Sequence, residues 1–523
     1  MRISLIFSIT MWAVLIGEAS LLAQISLIPK PLGVELKGGW VCIDIDELEK
    51  RTVPSNLLYV QDYLVKNLPK PPKQFNPVRI SMLIEGSLER ESYRIECDSS
   101  SVKLIGGDEA GLFYAAVSLV QLAAPEYGQR LPSIVVSDKA RFSWRGMHLD
   151  CSRHFFSTED IKRFLDLMAL YKLNVFHWHL TDDQGWRIEI KRYPNLTKAG
   201  SYRSETLIGR PSRSMSFDAL PHSGFYTQEE IKDIVEYASK LFITVVPEIE
   251  MPGHSLAALA AYPEFSCTGG PFDPARYWGV FEDVYCAGND SVFQFIENIL
   301  TEIMELFPGK YIHIGGDETP ITRWQNCDKC KSRMKDENFA DFVELHAYFL
   351  KRITKFLKKN EREPIGWDEV LDGGIANNIT VMSWRGTEGG VKAVKLGSKV
   401  IMSPNKPYYF DHYQARPTAY EPLAIGGLNQ VQDVYNFEPM PEGLNENEQA
   451  LILGAQGNIW TEYICTFNQL TYMAIPRMLA LSETLWSSAD QKNYADFVDR
   501  FRINKVLLEE RRIHFAKHVL SKN

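Results

Sequence analysis

The chain has 523 residues, of which 45% are hydrophobic, 24% charged and 12% aromatic, and its net charge is −9. This composition excludes a disordered chain. The mild acidity argues against nucleic acid and anionic membrane surfaces as partners, because both call for basic patches.

Arg2, the almost wholly apolar run Ile3–Ile16 and the small residue Ala23 have the layout of a secretory signal over residues 1–23. The mature protein is therefore expected in the periplasm or outside the cell. No later segment reaches about 18 uninterrupted apolar residues, so no stable membrane span is expected. Export permits disulfides. Of the eight cysteines, Cys267 and Cys286 flank a Gly/Pro-rich loop and could staple it. Cys327-x-x-Cys330 reads as a local disulfide rather than half a zinc site, because no second C-x-x-C or H-x-x-H lies nearby. Cys42, Cys97, Cys151 and Cys465 read as buried thiols.

Residues 24–140 read as a small α+β accessory domain. Val78–Ile84, Ser92–Cys97 and Val102–Ile105 are predicted strands and Ala110–Leu122 a predicted helix. No cluster of catalytic residue types falls there. From 141 to 490 the pattern changes to strand, polar turn and helix, repeated. The predicted strands are Trp144–Asp150, Leu173–Leu180, Phe242–Glu250, Tyr311–Asp317, Pro364–Asp368, Thr380–Trp384, Lys399–Ser403 and Leu451–Trp460. Helices over Thr158–Leu173 and Ile231–Leu241 follow Ser157 and Thr227, each with an acidic residue three positions later, a capping-box signature. Ser291–Leu306 and Ala340–Lys358 are amphipathic, Leu470–Trp486 is the predicted last barrel helix, and residues 491–523 form a helical tail. Eight strands with helical connections predict a (β/α)8 TIM barrel, with insertions at Ser201–Gly224, Cys267–Gly288, Trp324–Asn338 and Asn405–Gly443. A doubly wound open sheet is the fold alternative, but no G-x-G-x-x-G or phosphate loop follows a strand.

Such barrels hold their chemistry at the C-terminal ends of the strands. Seven of the eleven histidines, His148, His154, His177, His179, His254, His313 and His412, lie in or just after predicted strands. Asp150 and Arg153, Asp182 and Asp183, Glu248 and Glu250, Asp317 and Glu318, Trp367, Trp384, Tyr409, Asp411, Trp460 and Glu462 occupy the same rim. Tryptophan faces beside carboxylates suit a pyranose, whose C–H face stacks while its hydroxyls bond. Adjacent strand residues point to opposite faces, so Asp317 and Glu318 can share one pocket only if the strand bends or ends at Gly315-Gly316. Aromatic desolvation and the Asp317 charge are both expected to raise the pKa of Glu318. A metal-dependent barrel hydrolase built on His177-x-His179 with Asp182, His254 and Asp317 is a rival reading. Against it, carboxylates outnumber neutral ligands and Arg153 shares the rim, so no metal and no other cofactor is expected, and His177, His179 and His313 read as structural.

Several stretches resemble glycoside hydrolase family 20, the β-N-acetylhexosaminidases. They are Arg145-Gly-Met-His-Leu-Asp-Cys-Ser-Arg-His154, Asn174-Val-Phe-His-Trp-His-Leu-Thr-Asp-Asp-Gln-Gly-Trp-Arg187, Pro247-Glu-Ile-Glu-Met-Pro-Gly-His254, His313-Ile-Gly-Gly-Asp-Glu318, Gly366-Trp-Asp-Glu369, Tyr409-Phe-Asp411 and Trp460-Thr-Glu462. Ser92-Tyr-Arg-Ile and Gly111-Leu-Phe-Tyr-Ala-Ala resemble the family's accessory domain, so the likeness covers nearly the whole mature chain. It implies an exo-acting, retaining enzyme that releases terminal β-linked GlcNAc or GalNAc, with the substrate's own 2-acetamido group as nucleophile. It further implies Glu318 as general acid and then base, and Asp317 as the residue that orients the acetamido group. Arg153, Glu462 and Asp411 would hold sugar hydroxyls and Tyr409 the acetamido oxygen. Trp367, Trp384 and Trp460 would wall the pocket, and His254 with Asp182 or Asp183 would support Glu318. The alternative is a non-catalytic sugar-binding protein on the same fold. The partner is a glycan ending in an N-acetylhexosamine. Loops 201–224 and 405–443 are expected to choose between sugars, without a readable code, and oligomeric state stays open.

Overall fold

The computed structural model describes residues 25–70, 77–123, 130–374 and 379–521, so the signal expected over residues 1–23 lies outside the described residues. Two compact units emerge. One contains the chain up to Arg141 together with Ala169–Lys172 and Leu479 onward, and the other contains Phe142–Met168 and Leu173–Met478.

The first unit is built on a five-stranded sheet of β1 (Gly33–Val41), β2 (Arg79–Ile84), β3 (Tyr93–Cys97), β4 (Ser101–Gly106) and β5 (Leu131–Asp138), in the order β1-β5-β3-β4-β2. The sequence reading missed β1 and β5. The helix Glu109–Leu122 is buried along almost its whole length, and the Asp108 side chain caps it by accepting from the Gly111 amide at 2.8 Å. The C-terminal helix Tyr494–Glu510 belongs to this unit rather than standing apart. Within the unit Arg500 donates to both oxygens of Glu483, at 2.6 and 2.7 Å.

The second unit is a closed barrel of eight parallel strands in chain order. They are β6 (Trp144–Asp150), β7 (Val175–His179), β8 (Thr244–Glu248), β9 (Tyr311–His313), β10 (Glu363–Trp367), β11 (Thr380–Ser383), β12 (Val400–Met402) and β13 (Ile452–Gly457). All eight predicted strands exist, the first with its predicted bounds and the other seven shortened or shifted at their ends. Alternation sends every second residue inward. Trp144, Val175, Val246, Ile365, Trp367, Met382 and Ile401 form one apolar cluster there. The outer helices bury the expected stripes. Thr227 and Glu230 form a reciprocal capping box on Gln228–Lys240, whose Ile231, Ile234 and Ala238 are buried. A cap of this kind stabilises by about 1 kcal/mol.

Three expectations are corrected. The predicted single helix Leu470–Trp486 is two helices, Phe467–Ala474 and Arg477–Trp486, because Pro476 between them has no amide hydrogen to donate. No disulfide forms among the described residues: all eight cysteines are free thiols, and Cys465 is exposed rather than buried. The Sγ atoms of Cys267, Cys286, Cys327 and Cys330 approach one another at 3.7–3.8 Å, well beyond a disulfide bond of about 2.05 Å. Among the described residues, no helix is long and apolar enough to cross a membrane.

Candidate active site

The site begins where β9 stops. The strand ends at His313, four residues short of the predicted Asp317. Gly315 and Gly316 then take positive φ angles of 62° and 97°, and Glu318 itself sits at φ 44°. Gly315 is required twice over, because a Cβ there would lie 1.8 Å from Glu250 Oε2. The turn brings both neighbouring carboxylates to one atom. His254 Nε2 is 3.6 Å from Asp317 Oδ2 and 3.5 Å from Glu318 Oε2.

Behind His254 a chain of buried groups leads into the barrel. His254 Nδ1 lies 3.2 Å from Asp182 Oδ1 and equally 3.2 Å from Asp183 Oδ2, so the ring is held by both aspartates. The two differ in their other partners. Asp183 also accepts from the Leu256 amide at 3.0 Å. Asp182 takes Arg153 Nη2 at 2.7 Å and His179 Nε2 at 3.0 Å. His179 Nδ1 in turn bonds Glu248, which also contacts His177 Nε2 at 3.1 Å, His313 Nδ1 at 2.7 Å and Trp367 Nε1 at 2.9 Å. His177, His179 and His313 thus gather round one fully buried carboxylate. Burial works against the charge on Glu248, but the surrounding histidines outweigh it and hold the carboxyl well below its usual range. Burial likewise disfavours charge on His179, yet Glu248 and Asp182 raise it to about 10.

The pocket above is a cavity of about 320 Å³. Asp317, Glu318, His254, Asp182, Arg153, Trp384, Tyr409, Asp411, Trp460 and Glu462 all line it, which brings together ten of the residues named from sequence. Trp384 and Tyr409 stack at 6.2 Å between ring centroids, with 18° between planes, and Trp460 stands 6.3 Å from Tyr409. Arg153 lies 5.1 Å from the Trp460 ring. Burial opposes its charge, but Asp182, Asp150 and Glu462 more than compensate, so it stays a cation.

Two of the predicted residues do not line the cavity. Asp183 stands behind His254. Trp367 is 1% exposed in the apolar barrel core, its indole N–H turned to Glu248, so it supports Trp460 from 5.9 Å rather than facing a ligand. The expected rise in the Glu318 pKa is also corrected. A hydrogen bond from His254 holds Glu318 below its usual range, since its side chain is still 43% exposed and burial cannot prevail. Asp317 moves the other way, raised to about 6 by burial and by the Glu318 charge, with His254 opposing. His254 itself titrates well above 6.5: burial works against its charge, but Asp182 and Asp317 prevail. The free site therefore keeps its shared proton on His254.

Sequence reasoning gave no role to Glu250, Asn405, His412 or Ile425–Gly427, which also line the cavity. Glu250 was visible four residues before His254, but nothing local marked its state. Both of its carboxyl oxygens are buried without a hydrogen-bond partner among the described residues. Burial and the charges of Asp317 and Glu248 keep it neutral, with a pKa far above the usual range. Asp411 is raised well above its usual range too, by burial and by Glu462. One oxygen each of Asp317, Asp411 and Glu462 is likewise buried and unpartnered among the described residues. Of the two loops expected to read the sugar, 405–443 lines the cavity. Loop 201–224 supports it through Arg210, which donates to the Ala424 carbonyl at 2.7 Å.

Comparisons with known proteins point to a single family. The model of the glycosyl hydrolase family 20 catalytic domain matches residues 142–489, and that of family 20 domain 2 matches residues 24–139. A β-hexosaminidase of Porphyromonas gingivalis is 47% identical over 422 residues, covering 79% of this chain and 53% of that protein, so the chain spans about half its relative's length. A β-hexosaminidase of Vibrio furnissii is 32% identical over 467 residues, 88% of this chain and 76% of the relative. The crystal structure of a family 20 exo-β-N-acetylglucosaminidase from Vibrio harveyi, in complex with N-acetylglucosamine, superposes with a TM-score of 0.82 at 28% identity over 95% of this chain and 78% of that one. A β-N-acetylhexosaminidase from Bacteroides fragilis gives 0.78 at 29% identity over 95% and 99%. Matched in sequence along both units and in structure along almost its full described length, the chain belongs to glycoside hydrolase family 20.

Proposed function

We propose that the protein is an exo-acting, retaining β-N-acetylhexosaminidase that removes terminal β-linked GlcNAc or GalNAc by substrate-assisted catalysis. One observation carries this reading. Asp317 and Glu318 both reach His254 Nε2, at 3.6 and 3.5 Å, in a cavity walled by Trp384, Tyr409 and Trp460. Carboxylates that share one imidazole nitrogen approach a substrate from the same side. They are poorly placed to act as acid and nucleophile from opposite faces of a sugar ring, which is the two-carboxylate scheme from which family 20 departs. A volume of about 320 Å³ is at the low end for small-molecule sites, about 300–1,000 Å³, and suits one terminal sugar.

In this mechanism the acetamido oxygen attacks C1 while Glu318 gives its proton to the departing glycosidic oxygen. The cyclic oxazolinium intermediate is positively charged, and the Asp317 carboxylate accepts its N–H and balances the charge. Water then opens the ring at C1 and returns a proton to Glu318, restoring the β configuration. The proton Glu318 needs is within reach on His254. A sugar that covers the exposed Glu318 carboxyl strips it of water and raises its pKa, which favours transfer from the imidazolium. Arg153, Glu462 and Asp411 offer hydroxyl contacts, and the neutral Asp411 can donate as well as accept.

The test is a set of aryl β-glycosides with and without the 2-acetamido group. Turnover confined to acetamido sugars, and inhibition by a thiazoline mimic of the cyclic intermediate, are expected. Equal turnover of plain β-glucosides would refute the assisted route.

A further inference from the structure

We infer that Cys267, Cys286, Cys327 and Cys330 form a structural zinc site that ties together the two loops bearing the catalytic groups. The four come from two separate stretches. Cys267 and Cys286 lie in the loop that follows β8 and carries His254; Cys327 and Cys330 lie in the loop that follows β9 and carries Asp317 and Glu318. Sγ–Sγ separations are 3.8 Å for Cys267–Cys330 and 3.7 Å for both Cys286–Cys327 and Cys286–Cys330. All four sulfurs lie within 4.8 Å of one another. A zinc–thiolate bond of about 2.3 Å in a tetrahedron puts its sulfurs about 3.75 Å apart. Three of the six separations match that edge, and none exceeds 4.8 Å.

The surroundings are built for the approach. The bridge between Ser266 and Tyr285 sets Cys267 beside Cys286, and the Cys286 amide donates to the Phe265 carbonyl at 2.9 Å. Across the loops Trp324 Nε1 donates to the Tyr285 carbonyl at 2.9 Å, and Arg323 grips Asp283 at 2.9 and 3.0 Å. Gly288 meets the second pair so closely that a Cβ would fall 2.2 Å from the Lys329 carbonyl carbon and 2.4 Å from the Cys330 nitrogen. Cys286, Cys327 and Cys330 are buried and Cys267 half-buried.

The donor set selects the ion. Four thiolates with no oxygen or imidazole favour a soft tetrahedral cation, and four protein ligands leave no open position, so the site is structural rather than catalytic. On binding, the four thiols release their protons to solvent and the ion–tetrathiolate carries two negative charges. Lys329 and Lys331, which flank Cys330 in the sequence, carry the opposite charge. A lone C-x-x-C looked like a local disulfide because its partners are 41 and more residues away in sequence.

The experiment uses the full chain, purified with neither chelator nor metal-affinity resin. Elemental analysis should find one zinc per chain. The ion should leave when a mercurial titrates the thiols, detected by a zinc-sensitive dye. Growth with cobalt should give the strong visible bands of a tetrahedral cobalt tetrathiolate. Cys327→Ser and Cys330→Ser should lose the metal and melt earlier. If they fail to fold, the metal content and cobalt spectrum of the unmodified chain still decide. Disulfide-linked Cys267–Cys330 or Cys327–Cys330 peptides without metal, or an iron-loaded protein, would overturn the assignment.

Discussion

Each unit of this protein buries acids, and the two differ in how completely those acids are satisfied. In the first unit Asp138, 5% exposed, accepts from Tyr93 at 2.6 Å, Trp486 at 2.9 Å and Lys172 at 3.4 Å, and its other oxygen takes the Leu32 and Lys139 amides at 3.0 Å each. In the barrel, Glu250, Asp317, Asp411 and Glu462 line one cavity with five buried oxygens that have no partner among the described residues. A satisfied buried charge holds its neighbours in place. Acids with unsatisfied oxygens cost stability, since a buried polar atom without a partner costs about 1–3 kcal/mol, and persist where a ligand can complete them. The same residue types thus mark scaffold in one unit and site in the other.

The comparison can be broken most sharply at Glu318. Glu318→Gln keeps shape and removes proton transfer, so kcat on an acetamido aryl glycoside should fall by about 10²–10⁴ while the melting temperature holds. An unchanged rate would end the acid assignment. Asp138→Ala is the mirror experiment. Leaving Lys172 without its carboxylate should cost about 3–5 kcal/mol in denaturant unfolding, with turnover per folded molecule unaffected.

A third prediction follows from Asp317, raised to about 6 from its usual 3.8. The native protein binds this proton more tightly than the unfolded chain, so the stability it lends is full below pH 3.8 and is lost as pH rises through 6. In the proposed mechanism activity runs the opposite way, because there Asp317 holds the acetamido N–H as a carboxylate. In Asp317→Asn both slopes should flatten, measured by pH-dependent denaturation and by kcat/KM profiles. An unchanged acid limb would assign it to another group. The smallest effect is expected at Glu250→Gln. If Glu250 is neutral in the fold, an isosteric amide should change stability by no more than about 1.5 kcal/mol, whereas Glu248→Gln, which strips a charge from three histidines, should cost more. Equal costs would erase the distinction between the two glutamates.

Much of this was legible in the chain. The repeated order of strand, polar turn and helix located all eight barrel strands, and polar residues crowding the strand ends marked the rim. The glycines at 315 and 316 announced the turn that unites Asp317 with Glu318. The accessory sheet was less readable, since β1, interrupted by Gly38 and Gly39, and β5 lack a clean alternation.

What sequence alone determined was therefore local: which segments form strands, and which side chains are delivered to one end of the barrel. Tertiary structure decided everything that depends on distance between remote segments. It buried Trp367 under the pocket instead of in its wall, made Glu248 an anion and Glu250 a neutral acid two residues apart, and placed the shared proton on His254. It also gathered four cysteines that sequence separated into unrelated pairs. The physical reason is common to all of them. Desolvation, Coulomb interaction and metal coordination depend on a few ångströms of through-space geometry, whereas periodicity along a chain reports only which way a residue faces.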